Sequence, residues 1–138
     1  MNVFLDTNIL LDFLGRREPF CDDAARIWAL AERGDIRAHI SAISFSNVYY
    51  LLRKWRGAQV AHKAMVGMRD LFIAVACDKQ IIDQAIDGQF PDFEDAIQLI
   101  SATRARASHL VTRNPGHFRT TSIAVVSPRE FLVAYGQK

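Results

Sequence analysis

The chain has 138 residues, the length of one domain with a single core (residues 1–138), and its composition, half hydrophobic and 23% charged, is that of an ordinary globular protein. Lys plus Arg number 17 against 15 Asp plus Glu, and the resulting formal charge of +2 does not mark a nucleic-acid binder by itself. No charge-free run is long enough for a membrane span, the apolar start is broken by Asp6 and Asp12 without a basic segment before it, and Cys21 and Cys77 lack CxxC spacing; these features predict a reduced, cytoplasmic protein with no secretory signal.

The first stretch, MNVFLDTNILLDFL, sets the pattern. Val3, Phe4 and Leu5 predict a strand buried on both faces. Ile9, Leu10, Phe13 and Leu14 resume at helical spacing, with Thr7 or Asn8 expected to cap that helix. Asp6 then falls at the carboxyl end of a buried strand, where open parallel sheets bind ligands. After the basic loop Gly15–Pro19, a helix carries Phe20, Ala24, Ile27, Trp28 and Ala31 on one stripe and ends at Gly34. Asp22 and Asp23 suit its first turn. Ile36–Ile40 reads as a second strand. Ser44 is expected to cap a helix running to about Trp55, with Phe45, Val48, Tyr49, Leu52 and Trp55 buried and Asn47 in the first turn. Arg53, Lys54 and Arg56 read as cations at its C-terminus.

Ala58–Asp70 predicts another helix, with Val60, Ala61, Ala64, Met65 and Met68 inward. Leu71–Ala76 predicts a third, buried strand, and Asp78 caps a helix stopped by Gly88. The next helix opens at Asp92. Spacing puts Asp92 and Asp95 on one face and turns Glu94 elsewhere, while Ala96, Ile97, Leu99, Ile100 and Thr103 face inward. His109–Thr112 and Ile123–Val126 complete the strands, separated by the turn Arg113-Asn114-Pro115-Gly116. Pro128 starts a terminal helix through Phe131, Leu132 and Tyr135. Strands alternating with helices predict an α/β fold with a mostly parallel sheet of four to five strands.

Asp6, Asn47 and Asn114 each follow a strand and so share one sheet edge; the pair Asp92 and Asp95 is inferred to join them. Each also has a local role to weigh against this: Asp6 an Asx-turn, Asp92 and Asp95 a helix start, Asn114 a turn, Asn47 a cap. Capping does not require all of them at one edge. Carboxylate and carboxamide oxygens without thiols suit a hard divalent cation, Mg²⁺ or Mn²⁺. His39, His62, His109 and His117 show no i, i+4 pairing, which argues against zinc, and the absence of GxxxxGK[ST], GxGxxG and GxSxG argues against nucleotide-cradling loops and serine hydrolases.

These residues together resemble a PIN domain, the nuclease family that includes VapC-type toxins of toxin–antitoxin pairs. FLDTNILLD resembles the first motif, placing Asp6 on a metal-binding acid. PDFEDAIQLISA resembles the third, with Asp95 on the central acid and Asp92 beside it. ISAISFSNVYYLLRK and LVTRNPGHF resemble the second and fourth, but Asn47 and Asn114 stand where members often carry acids. The resemblance implies a three-layer α/β/α sandwich and divalent-metal-dependent endonucleolytic cleavage of RNA. It further implies a cognate antitoxin and a homodimer. By the same resemblance Asp6, Asp92 and Asp95 are metal ligands, with Asn47 and Asn114 in the catalytic set and Thr7, Asn8 and Thr112 in support. Arg16, Arg17, Arg113 and Arg119 are candidate contacts to the RNA phosphates.

Two other readings remain open. One is a PIN-like RNA-binding or protein-interaction module that lost catalysis through the two asparagines. The other is a phosphatase with Asp6 as nucleophile, which expects an acid two residues on, where Asn8 stands.

Overall fold

The computed structural model describes residues 1–118 and 122–136. In chain order its elements are β1 (Asn2–Leu5), α1 (Thr7–Leu14), α2 (Cys21–Glu32), β2 (Arg37–Ser41), α3 (Ala42–Arg56), α4 (Ala58–Leu71), β3 (Ile73–Val75), α5 (Lys79–Asp87), α6 (Phe93–Arg104), β4 (His109–Val111), β5 (Ala124–Val126) and α7 (Pro128–Gly136). The strands form one sheet in the order β3-β2-β1-β4-β5, and every neighbouring pair is parallel. The chain builds outward from β1 to β3, then returns to the other side of β1 for β4 and β5. The crevice beyond the carboxyl ends of β1 and β4 is therefore the topological switch point, where such sheets bind ligands.

Alternation along the strands splits the core in two. Val3, Leu5, Ala38, Ile40 and Val111 face the layer that holds α1, α2, α3, α4 and α7. Phe4, Val75 and Leu110 face α5 and α6. Helices on both faces of a parallel sheet make the expected three-layer α/β/α sandwich. Among the described residues, no helix is long and apolar enough to cross a membrane.

Five local expectations change. Asp6, not Thr7 or Asn8, caps α1, because its extended backbone (φ −67°, ψ 153°) turns its own carboxylate back onto the Thr7 N–H. Ser41, not Ser44, caps α3: its hydroxyl accepts from the Ile43 N–H, so the helix starts earlier and Asn47 moves into its second turn. The apolar run after Leu71 makes a short edge strand rather than a buried one, with Ile73 43% exposed and only Val75 buried, since no strand covers its outer side. Trp55 is not buried either. It lies against the end of α1, where a Cβ on Gly15 would come within 3.0 Å of its ring, and the Arg17 guanidinium sits 5.4 Å from the ring centroid. Thr103 is exposed, its hydroxyl bonded back to the Leu99 carbonyl.

Candidate active site

Asp6 ends β1 and opens α1, and its backbone N–H remains bonded to the Val111 carbonyl at 3.0 Å. The side chain is almost fully buried. One carboxylate oxygen accepts from the Thr7 N–H at 2.7 Å and the other from the Thr112 hydroxyl at 2.7 Å, with the Asn8 amide at 3.4 Å. Burial raises the Asp6 pKa to about 6; these hydrogen bonds oppose the rise, and the charges of Asp95 and Glu94 add to it.

A buried polar network fixes this corner. Gln98 of α6 donates to the Thr7 hydroxyl at 2.8 Å, which also bonds the Ser44 hydroxyl of α3 at 2.7 Å. Three helices are thereby joined through side chains that an apolar core would exclude. Thr112 is the second hub. While donating to Asp6, its oxygen accepts from the Asn114 N–H at 3.3 Å and meets the Asn8 amide at 3.5 Å.

A cleft of about 660 Å³ opens over Asp6, and Asn47, Asp92, Asp95 and Asn114 all line it. The residues expected at the sheet edge do converge. Asp92 caps α6 in extended conformation and accepts from the Asp95 N–H at 2.9 Å. Burial, followed by the charge of Asp92, raises the Asp95 carboxyl above its ordinary range, while His117 across the cleft lowers it.

Two further lining residues did not follow from the spacing. Glu94 does not turn away: it lines the cleft, and its Oε1 accepts from the Asn47 amide at 3.3 Å. The helical face argument fails because Asp92 lies outside the helix, so its direction does not follow the periodicity of α6. His117 comes from the 3-10 turn Pro115–His117 and carries no spacing signal.

The arginines divide differently. Asp12 is fully buried in α1; Arg113 Nε lies 2.7 Å from it and Arg17 Nε 3.6 Å. Burial holds the Asp12 carboxyl above its ordinary value, against the opposing pull of these two guanidinium groups. The Arg113 guanidinium also stacks over Phe20, 4.2 Å from the ring centroid. Arg17 and Arg113 are thus engaged with a buried acid. Arg16 is exposed, and Arg119 lies outside the described residues.

Four carboxylates, Asp6, Asp92, Glu94 and Asp95, line the cleft, and none forms an ion pair among the described residues. Among those residues no three His, Cys, Asp or Glu side chains converge tightly enough to enclose an ion by themselves. The fit to a cation rests on charge and donor type. The donors are oxygens, and two of the acids, Asp6 and Asp95, are held above their usual range by burial and by neighbouring carboxylates, a condition that a hard divalent ion relieves.

Fold and site define an all-parallel α/β protein with an acidic cleft at its switch point. The sequence model of the PIN domain matches residues 2–115, and the chain belongs to the PIN-domain family. No curated protein matches the sequence significantly. Among solved structures, a toxin–antitoxin complex from Klebsiella pneumoniae is 26% identical, with 91% of this chain and 97% of that one covered at a TM-score of 0.68. VapBC2 of Rickettsia felis, bound to a promoter DNA fragment, is 17% identical over 92% and 98% of the two chains at a TM-score of 0.68. The sarcin–ricin loop-cleaving toxin VapC20 of Mycobacterium tuberculosis is 14% identical over 78% and 86% at 0.65.

Proposed function

We propose that the chain is a divalent-metal-dependent endoribonuclease, the toxin of a toxin–antitoxin pair, acting in the cytoplasm as a homodimer restrained by a cognate antitoxin. The observation that carries the reading is the buried Asp6 carboxylate in a cleft with three more acids, none of them in an ion pair among the described residues. The family match and the toxin–antitoxin complexes among the structural neighbours support it. Asp6 and Asp95 would hold a Mg²⁺ or Mn²⁺ ion, with Asp92 and Glu94 adding charge. Glu94 thereby offers the acid that Asn47 lacks, and the Asn47 amide holds it in place. Such an ion supplies Lewis-acid stabilisation for charge on the phosphoryl oxygens and a more acidic water. Thr112 and Thr7 fix the Asp6 oxygens, and Asn114 and His117, which line the cleft, would orient the phosphodiester.

Cleavage of a mixed-sequence fluorogenic RNA tests the reading, with Mn²⁺, Mg²⁺ or EDTA present. Wild type should cleave only with metal, and Asp95→Asn should lose on the order of 100-fold or more in rate. Equal rates in both proteins would contradict the assignment. RNA binding without any metal-dependent cleavage would instead favour the module reading, which rests on Asn47 and Asn114 standing in the cleft in place of acids.

A further inference from the structure

The acidic cleft poses a problem for its own substrate, because four carboxylates repel an RNA backbone. Of the arginines beside the cleft motifs, Arg17 and Arg113 are engaged with Asp12, and Arg16 alone among those described is left exposed. Further cations able to meet phosphates stand on α3. Asn47, Tyr50 and Lys54 follow one another at i, i+3 and i+7 along this helix, a single stripe that leads out of the cleft over about 10 Å. Tyr50 stands in the cleft wall 68% exposed. It also lines a second hollow, of about 390 Å³, together with Arg53 and Lys54. Both of these cations are exposed, and neither forms an ion pair among the described residues.

An exposed aromatic ring beside two free cations, continuous with a cleft, is the arrangement by which proteins track single-stranded nucleic acid. Bases stack on the ring and phosphates meet the charges. An A-form duplex keeps its base faces stacked inside and has nothing to offer the ring. We propose that Tyr50, Arg53 and Lys54 form a binding track for single-stranded RNA that delivers the strand into the cleft. The proposal rests on the nuclease reading for its substrate, and it extends that reading to strandedness and to named residues.

The test is fluorescence anisotropy of a short labelled mixed-sequence single strand in EDTA, where metal-dependent cleavage cannot interfere. Tyr50→Ala should weaken binding about 10-fold, and Tyr50→Trp should preserve it. Arg53→Gln with Lys54→Gln should flatten the salt dependence by roughly 1.4 in the log–log slope. The same sequence as a duplex should bind more weakly than the single strand and be indifferent to Tyr50→Ala. These positions are exposed, so the variants should melt as wild type does. The proposal is overturned if Tyr50→Ala binds the single strand as tightly as wild type. It is equally overturned if that substitution dissociates an oligomer without changing affinity per subunit, which would make the stripe a subunit interface. Failure of the nuclease reading is seen separately, as absent or Asp95-independent cleavage in Mn²⁺ while binding in EDTA retains its Tyr50 dependence.

Discussion

Helix α1 brings two buried carboxylates into the molecule, and their surroundings are opposite. Asp12, with no exposed surface, meets two guanidinium groups, at 2.7 and 3.6 Å. Among the described residues Asp6, 6% exposed, meets only neutral donors and has further acids near it. A buried charge must be paired, neutralised or bound to a cation. Asp12 meets that requirement within the chain, where it ties the loop after α1 to the Thr112–Asn114 segment. Asp6 does not: burial raises both carboxyls, but at Asp6 only neutral hydrogen bonds oppose the rise and neighbouring acids add to it, where at Asp12 two guanidinium charges work against it. One helix therefore carries a structural acid and an acid whose counter-charge has to come from outside.

The contrast is open to attack at both ends. The largest effect on stability is expected from Asp12→Ala, which leaves two arginines facing a cavity and should cost about 3–5 kcal/mol in urea unfolding. Asp6→Asn should do the opposite in EDTA at pH 7. Asn caps a helix as well as Asp, and the substitution removes an ionised group from a buried site, so stability should be unchanged or higher by up to roughly 3 kcal/mol. The same term sets a pH dependence. The folded chain keeps the Asp6 proton up to about pH 6, against 3.8 for the ordinary carboxyl, so between those values the folded state binds more protons than the unfolded one. This contribution is complete below the lower value and is lost as pH rises through about 6. Unfolding measured from pH 4 to pH 7 without metal should show a smaller fall in Asp6→Asn than in wild type, the remainder coming from Asp95 and Asp12, whose carboxyls are also raised. The smallest effect belongs to the network behind the site: Ser44→Ala removes one hydrogen bond to Thr7 and should cost about 1 kcal/mol.

Much of this was legible in the sequence, because strand termini determine where side chains at a sheet edge must go. Asp6, Asn47 and Asn114 each follow an apolar run, and once those runs are parallel strands the three residues must share an edge. Asp92 and Asp95 follow from a helix start packed on the same sheet. Spacing failed where a residue lay just outside its helix. Asp92 is a cap in extended conformation, so extending the periodicity of α6 back to it misdirected Glu94. Ser44 went from cap to buried hydrogen-bond partner when Ser41 took the cap three residues earlier. Asp12 looked like a break in an apolar stripe because its partners, Arg17 and Arg113, lie far apart in sequence. The exposure of Tyr50 is likewise invisible in a run of aromatic and apolar residues, since only the packing of α3 decides which side of that helix is covered.

The central claim is that Asp6 is built to receive a divalent cation, and Mn²⁺ titration followed by thermal unfolding tests it most directly. At pH 7 the Tm of wild type should rise with Mn²⁺ concentration, as mass action requires of a ligand that binds the folded state. In Asp6→Asn the Tm should not move. An equal rise in both proteins, or no rise in wild type, would contradict the account.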